Sequence, residues 1–119
     1  MKSVGLSLRG REFTERMVFM AKTFDIGRVI ATKAVSDLIC NNEEFKIFVE
    51  GCLSKYILYD WGDTLPEHWE ENNQAALNGG EVIAFYYILE EIEEVFEDQL
   101  WIKTEADRSE TLLLFVSDY

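Results

Sequence analysis

Residues 45–57 read FKIFVEGCLSKYI, and this stretch has the clearest periodicity in the chain. Its apolar side chains recur every three or four residues, so they fall on one stripe of a helix, whereas Lys46, Glu50 and Lys55 fall on the opposite side. Asn42 precedes the stretch and is a suitable helix N-cap. The pattern predicts an amphipathic helix. Its apolar stripe consists of Phe45, Phe48, Val49, Cys52, Leu53, Tyr56 and Ile57.

Two further helices are predicted, one on each side of this stretch. Thr32 can cap a short helix over residues 33–40, which Asn41-Asn42 would end. Thr64-Leu65-Pro66-Glu67 matches a capping box and starts a third helix, which Asn78-Gly79-Gly80 ends. Trp69, Asn73, Ala76 and Leu77 of this helix are expected to face inward, and Glu67, Glu70 and Glu71 outward.

Strand-forming residues dominate residues 24–31, before the helices, and residues 82–89, 99–105 and 111–117, after them. This order predicts an α+β fold. An N-terminal strand and the helices come first, and a three-stranded antiparallel meander follows. The helices are expected to pack on one face of the sheet.

Composition predicts one folded domain. Hydrophobic residues make up 48% of the 119 residues, which is enough for a core and argues against disorder. Residues 20–119 are assigned to a single α+β domain, and residues 1–19 to a basic, weakly ordered extension. Met17 and Met20 leave open that translation starts there. No apolar run is long enough for a membrane span, and no signal peptide is evident, so a cytoplasmic protein is expected.

The charge is strongly acidic and unevenly distributed. The net charge is −12, and no basic residue occurs between Lys55 and Lys103. Such a protein repels phosphates and membrane surfaces and attracts basic proteins. We therefore expect a basic protein partner and no direct binding to nucleic acid or membrane.

The densest acidic segment, residues 89–98, reads LEEIEEVFED. Extended hairpin arms with an acidic tip are the favoured interpretation, although the tip lacks Gly, Asn and Pro. The alternative is a short helix with Ile92, Val95, Phe96 and Leu100 on one side. The carboxylates that we assign to partner binding are Glu90, Glu91, Glu93, Glu94, Glu97 and Asp98, with Glu67, Glu70 and Glu71 as a second set.

Three segments carry a family resemblance. Residues 24–39 (FDIGRVIATKAVSDLI), Asp60-Trp61-Gly62-Asp63 and residues 101–111 (WIKTEADRSET) resemble small proteins of Firmicute plasmids and conjugative elements. The resemblance covers residues 20–119. Such proteins are labelled plasmid-related or as a type I restriction methylase subunit, and the family is similar to small anti-CRISPR proteins. The segment Glu90–Asp98 is longer and more acidic than the family's usual turn, so its role is not implied by the resemblance.

The methylase label does not fit these residues. An amino-methyltransferase needs a Pro-Pro-aromatic pocket, but Pro66 is the only proline, and Gly79-Gly80 ends a helix instead of forming a cofactor loop. No cofactor is therefore expected.

Trp61 is expected to anchor in the core, with Asp63 helping to cap the third helix. Asp107-Arg108 is interpreted as a local turn pair, although a functional Arg108 stays open.

Catalytic and metal-binding patterns are weak. His68 is the only histidine, no His-Glu-x-x-His spacing occurs, and Cys40 and Cys52 are interpreted as buried free thiols. We therefore predict neither catalytic residues nor a metal site, and a protein that is not an enzyme. A metal-dependent hydrolase using His68 with Glu67, Glu71 and Asp63 is one alternative.

The favoured function is inhibition of a host nucleic-acid-handling defence enzyme, such as a Cas nuclease, by DNA mimicry. In this hypothesis, Ile92, Val95, Phe96 and Trp101 supply apolar contacts between the carboxylates. A second alternative is a structural or regulatory protein of plasmid maintenance that dimerises through an exposed edge, either residues 82–89 or residues 111–116. A monomer and a homodimer both stay open.

Overall fold

The computed structural model describes residues 23–119, so the predicted extension over residues 1–19 lies outside the described residues. Three helices and four strands confirm the predicted α+β class. In chain order the elements are β1 (Arg28–Ala31), α1 (Lys33–Asn41), α2 (Glu43–Tyr56), α3 (Pro66–Asn78), β2 (Val82–Tyr87), β3 (Gln99–Thr104), β4 (Glu110–Phe115) and a short 3-10 helix (Val116–Asp118).

The sheet is mixed and has the strand order β1-β4-β3-β2. Strands β2, β3 and β4 form the antiparallel meander that the sequence predicts. The prediction was incomplete, because β1 joins the same sheet as a parallel neighbour of β4, with Val29 opposite Thr111. A parallel pair needs a long crossover connection, and here α1, α2, α3, β2 and β3 all lie between the paired strands.

Strand β1 begins at Arg28, four residues later than predicted. Gly27 precedes it with φ 61°, a left-handed conformation that glycine adopts easily. A Cβ atom at this position would lie 2.2 Å from the carbonyl oxygen of Arg108. Gly27 therefore lets the chain pass close to the β3–β4 turn before it enters the sheet.

The core lies between one face of the sheet and helices α1 and α2. The predicted stripe of α2 contributes Phe45, Val49, Cys52, Leu53 and Tyr56, all buried. A hydrogen-bonded chain also crosses this core. Tyr56 Oη lies 2.8 Å from Thr104 Oγ1, which lies 2.7 Å from Thr111 Oγ1, and Thr111 donates to the carbonyl oxygen of Ile26. These buried hydroxyls are therefore not left unsatisfied, which would be costly.

All three predicted helices form, and two of their three predicted N-caps are confirmed. Thr32 accepts from Val35 N–H, and Asn42 accepts from Phe45 N–H at 3.0 Å. The predicted capping box does not form, because the Thr64 hydroxyl donates to the carbonyl oxygen of Trp61 and accepts from Phe85 N–H instead. A contact with β2 that is distant in sequence therefore replaces a local cap.

Helix α3 runs along the outer edge of β2, so the prediction that the helices pack on one face is wrong for this helix. The Asn72 side chain donates to the carbonyl oxygen of Ile83 at 2.8 Å and accepts from its N–H. Trp69, Asn73 and Ala76 are half-buried as expected, but Leu77 is exposed and Asn72 is the buried residue. Within residues 23–119, no helix has both the length and the apolarity to cross a membrane.

Candidate binding surface

Residues 88–98 connect β2 to β3, and we call them the acidic loop. They form two successive turns at the tip of the antiparallel β2–β3 hairpin, so the predicted acidic hairpin tip is confirmed. The extension of the hairpin arms into this segment and the alternative helix are both wrong. Ile88 N–H donates to Asp98 O at the base of the loop, and Ile92 N–H donates to Leu89 O. Ile92 is buried in the core, which folds the middle of the loop back toward the protein.

The acidic loop brings the six predicted carboxylates together on one short segment. Glu97 is half-buried and accepts from Ser117 Oγ at 3.1 Å. The other five are exposed, namely Glu90, Glu91, Glu93, Glu94 and Asp98. Among the residues that the structure describes, no lysine or arginine forms an ion pair with any of the six. Asn42 Nδ2 donates to the carbonyl oxygen of Glu93 and ties the loop to the start of α2.

The apolar residues near these carboxylates have three different environments. Ile92 is buried, Val95 is half-buried against the core, and Trp101 is half-buried on the sheet. Phe96 is 95% exposed, and Leu89 in the same loop is 52% exposed. Of the four predicted contact residues, Phe96 is therefore the one whose side chain is almost fully exposed to solvent.

The second acidic set lies on α3. Glu67, Glu70 and Glu71 are exposed, as predicted. Glu70 accepts from Gln74 Nε2, and Glu71 lies in hydrogen-bond contact with His68 Nδ1. The carboxylate of Asp63 accepts from Tyr87 N–H instead of capping α3. The start of α3 therefore lies at the same end of the sheet as the acidic loop.

The residues of the hydrolase alternative do not converge. His68 and Glu71 form an exposed pair, whereas the Asp63 carboxylate is bound to the backbone of Tyr87. In the part of the chain that the structure describes, no three side chains of His, Cys, Asp or Glu are grouped so that they could hold a metal ion.

The two cysteines are free thiols with different environments. Cys52 is buried, as predicted, and burial raises its pKa to about 12. Cys40 is exposed, so its predicted burial is wrong. Val35, Ser36 and Ile39 form the buried face of α1, and Cys40 falls just beside that face.

Arg108 is the structural anchor of the TEADRS segment and not a local partner of Asp107. Its guanidinium group donates to the carbonyl oxygens of Ala75 at 2.7 Å and Gly80 at 2.6 Å. Asp107 instead accepts from Ser109 N–H, and its hydrogen bonds with Ser109 lower its pKa. The Trp61 side chain is fully buried, as predicted.

A groove of about 680 Å³ lies on the sheet face opposite the core, between α3 and strands β2 and β3. We call it the aromatic groove. Phe85 and Trp101 stack in it with ring centroids 5.6 Å apart and an interplanar angle of 19°. Sequence reasoning missed this groove. The signal was the apolar content of both faces of β2, since Ile83, Phe85 and Tyr87 alternate with the core residues Val82, Ala84 and Tyr86.

The edges required by the dimer hypothesis are not open. Strand β4 lies between β1 and β3, so residues 111–116 do not form an edge. The outward backbone groups of β2 are bonded within the chain: Asn72 binds both groups of Ile83, and Asp63 N–H donates to Phe85 O.

Comparison of the chain with family models, curated proteins and solved structures found no match.

Proposed function

We propose that this chain is a non-enzymatic binding protein that inhibits a nucleic-acid-handling defence enzyme by placing its acidic loop in the enzyme's basic groove. The observation that supports this proposal is the position of Phe96, which is 95% exposed on a loop that also carries five exposed carboxylates. An aromatic side chain that fills a pocket on the partner can anchor an interface, and the surrounding carboxylates supply the charge complementarity.

The anchoring of the loop favours binding. Ile92 in the core, the Asn42–Glu93 hydrogen bond and the Ile88–Asp98 hydrogen bond hold the loop at three points. A loop held in this way loses less conformational freedom on binding than a free segment. The carboxylates and Phe96 are therefore presented together before the partner arrives.

The proposed mimicry concerns charge density and not the regular spacing of a duplex. DNA carries one negative charge per about 1.7 Å of its axis, arranged along a helix. The acidic loop instead places its carboxylates on two successive turns of one short segment, so they have no regular repeat along an axis. It is suited to a local phosphate-binding pocket that also accepts an apolar side chain.

The family resemblance supports a Cas nuclease as the partner and a mobile genetic element as the origin of the protein. Small acidic proteins of plasmids and conjugative elements act inside the host cell, where such nucleases meet incoming DNA. Phosphate-binding grooves of nucleases are rich in Lys and Arg, which complements a chain of net charge −12.

The test is binding of the full chain to a purified Cas nuclease, followed by calorimetry at rising salt. Binding should weaken with salt, and Glu93→Gln with Glu94→Gln should weaken it by about tenfold. The control is Glu105→Gln with Asp107→Asn, which removes the same charge from the β3–β4 turn at the opposite end of the sheet. Binding that is indifferent to salt, or equally weakened by both pairs, would sink the proposal.

A second variant, with its own control, tests the apolar contact. Phe96→Ser should weaken nuclease binding by about tenfold or more, as loss of an interface anchor does. Leu77→Ser removes another exposed apolar side chain, on α3, and should leave binding unchanged. Equal effects of the two changes would show that Phe96 is not an anchor.

A further inference from the structure

The aromatic groove has a polar composition that favours a cation. Two of the polar residues that line it are Thr64 and Asn72, and their side chains already form hydrogen bonds with the backbone of β2. Glu71 and Glu81 also line the groove, and both residues are exposed. The charged residues that line the groove are therefore acidic, and they attract a cation.

The wall of the groove adds an aromatic surface. Phe85 and Trp101 stack on each other, and Trp101 Nε1–H donates to Gln99 Oε1 at 2.8 Å, which fixes the indole ring. A cation within about 6 Å of an aromatic ring is attracted by the negative charge of the ring face. Aromatic rings beside two carboxylates form a site for an arginine or lysine side chain.

The chain itself contains two examples of this chemistry. Lys103 Nζ lies 3.4 Å from Glu81 Oε2 on the same face of the sheet, and Arg108 lies over the Phe24 ring. Lys103 neutralises part of the Glu81 charge, and His68 contacts Glu71. The remaining attraction still favours a cation, because the surrounding chain is strongly acidic.

We propose that the aromatic groove is a second contact site, which binds an arginine or lysine side chain of the same basic partner protein. This inference rests on the proposed function only in requiring a basic partner. The volume of about 680 Å³ accommodates one long basic side chain with its flanking backbone. Acidic loop and aromatic groove then contact two separate parts of the partner.

The experiment is an NMR titration of the full chain at neutral pH with a capped peptide of alternating glycine and arginine. The control peptide carries citrulline, which has the same shape as arginine without its charge. The arginine peptide should shift the indole N–H signal of Trp101, and the citrulline peptide should not. Glu71→Gln with Glu81→Gln should weaken peptide binding by about fivefold or more, in line with the loss of two carboxylates.

Variants separate this inference from the proposed function. Glu93→Gln with Glu94→Gln should leave the Trp101 titration unchanged while it weakens nuclease binding. A shift of the Trp101 indole signal by the arginine peptide, without any binding to the nuclease, would support the groove proposal and reject the proposed function. The groove proposal alone would be rejected if nuclease binding depends on the acidic loop and the arginine peptide shifts only the NMR signals of that loop.

Two further outcomes would overturn the groove proposal. Equal binding of the citrulline peptide would show that the groove recognises shape and not charge. Signals of Phe85 and Trp101 that move on dilution without peptide would show that a second copy of this chain occupies the groove.

Discussion

The guanidinium group of Arg108 donates a 2.7 Å hydrogen bond to the carbonyl oxygen of Ala75, in the last turn of α3. The same group lies 5.4 Å from the centre of the Phe24 ring, which leads into β1. The Ala75 carbonyl oxygen also accepts from Gly79 N–H at 2.9 Å, and the negative end of the helix dipole favours the positive charge of Arg108. One side chain therefore links the β3–β4 turn, the end of α3 and the approach to β1.

Replacing Arg108 with Met should lower the free energy of unfolding by about 2–3 kcal/mol, because hydrogen bonds from a charged donor are lost at two carbonyls. The backbone of residue 108 is left-handed, with φ 63°, and Arg and Met both carry a Cβ atom there. The difference in stability between the original protein and the variant therefore reports the side chain alone. Urea denaturation followed by tryptophan fluorescence measures the change.

Arg28→Met is the matched control for this change. Arg28 pairs with Glu110 at 2.6 Å, but its side chain is 62% exposed. Exposed ion pairs contribute about 1 kcal/mol or less, so this variant should keep nearly all of its stability. Equal losses in the two variants would contradict the anchoring role of Arg108.

The parts of the fold that sequence reasoning predicted are those that depend on near neighbours. The stripe of α2 and the caps Thr32 and Asn42 are local patterns, and the structure confirms all three. The failures concern partners distant in sequence. The Thr64 hydroxyl satisfies Phe85 N–H, 21 residues away, and a capping motif contains no information about that competition.

The candidate site divides in the same way. Exposure of the glutamates follows from their charge, so it was predictable. The shape of the acidic loop was not, because it depends on the burial of Ile92 in a core built by other elements. The aromatic groove required knowledge that α3 lies beside β2 and leaves Phe85 and Trp101 partly open.

Asn72→Asp should destabilise the edge of β2. Asn72 is 5% exposed, and its amide nitrogen donates to Ile83 O at 2.8 Å. A carboxylate of the same shape cannot donate this hydrogen bond and places negative charge against a carbonyl oxygen. We expect a loss of about 2 kcal/mol, measured by urea denaturation.

Asn78→Asp makes the same chemical change on an exposed side chain of α3. It removes the hydrogen bond to Gln74 and places a negative charge at the end of the helix, so it should cost about 1 kcal/mol or less. Light scattering of the Asn72 variant adds a second measurement, because freed backbone groups on an edge strand promote association. An Asn72→Asp chain as stable and monodisperse as Asn78→Asp would show that the amide does not protect this edge.

The two thiols should differ sharply in reactivity. The thiolate is the reactive form, and burial raises the pKa of Cys52 to about 12, whereas Cys40 is exposed. At pH 8 a thiol-specific disulfide reagent should label one cysteine of the folded chain rapidly and the second only after unfolding. Cys40→Ser should abolish the rapid phase, and rapid labelling of both thiols would contradict the burial of Cys52.

Alkaline pH should destabilise the protein through its buried tyrosines. Burial raises the pKa of Tyr86 above its ordinary value of 10.0, and Tyr56 is shifted in the same direction by burial. Above that value, the unfolded chain loses these protons while the folded chain keeps them, and proton loss favours the unfolded state. The stabilising contribution is therefore complete below about pH 10 and is lost as pH rises further.

Each such group steepens the fall by up to about 1.4 kcal/mol per pH unit. Tyr86→Phe should make the decline between about pH 10 and 11 shallower by one group, although loss of the hydrogen bond to Asp60 O lowers stability at every pH. Tyr119→Phe removes a hydroxyl from a residue that is 70% exposed and should keep the original slope. Urea denaturation at a series of pH values measures both slopes. Identical slopes for Tyr86→Phe and Tyr119→Phe would mean that the Tyr86 hydroxyl ionises as readily in the folded chain as in the unfolded one.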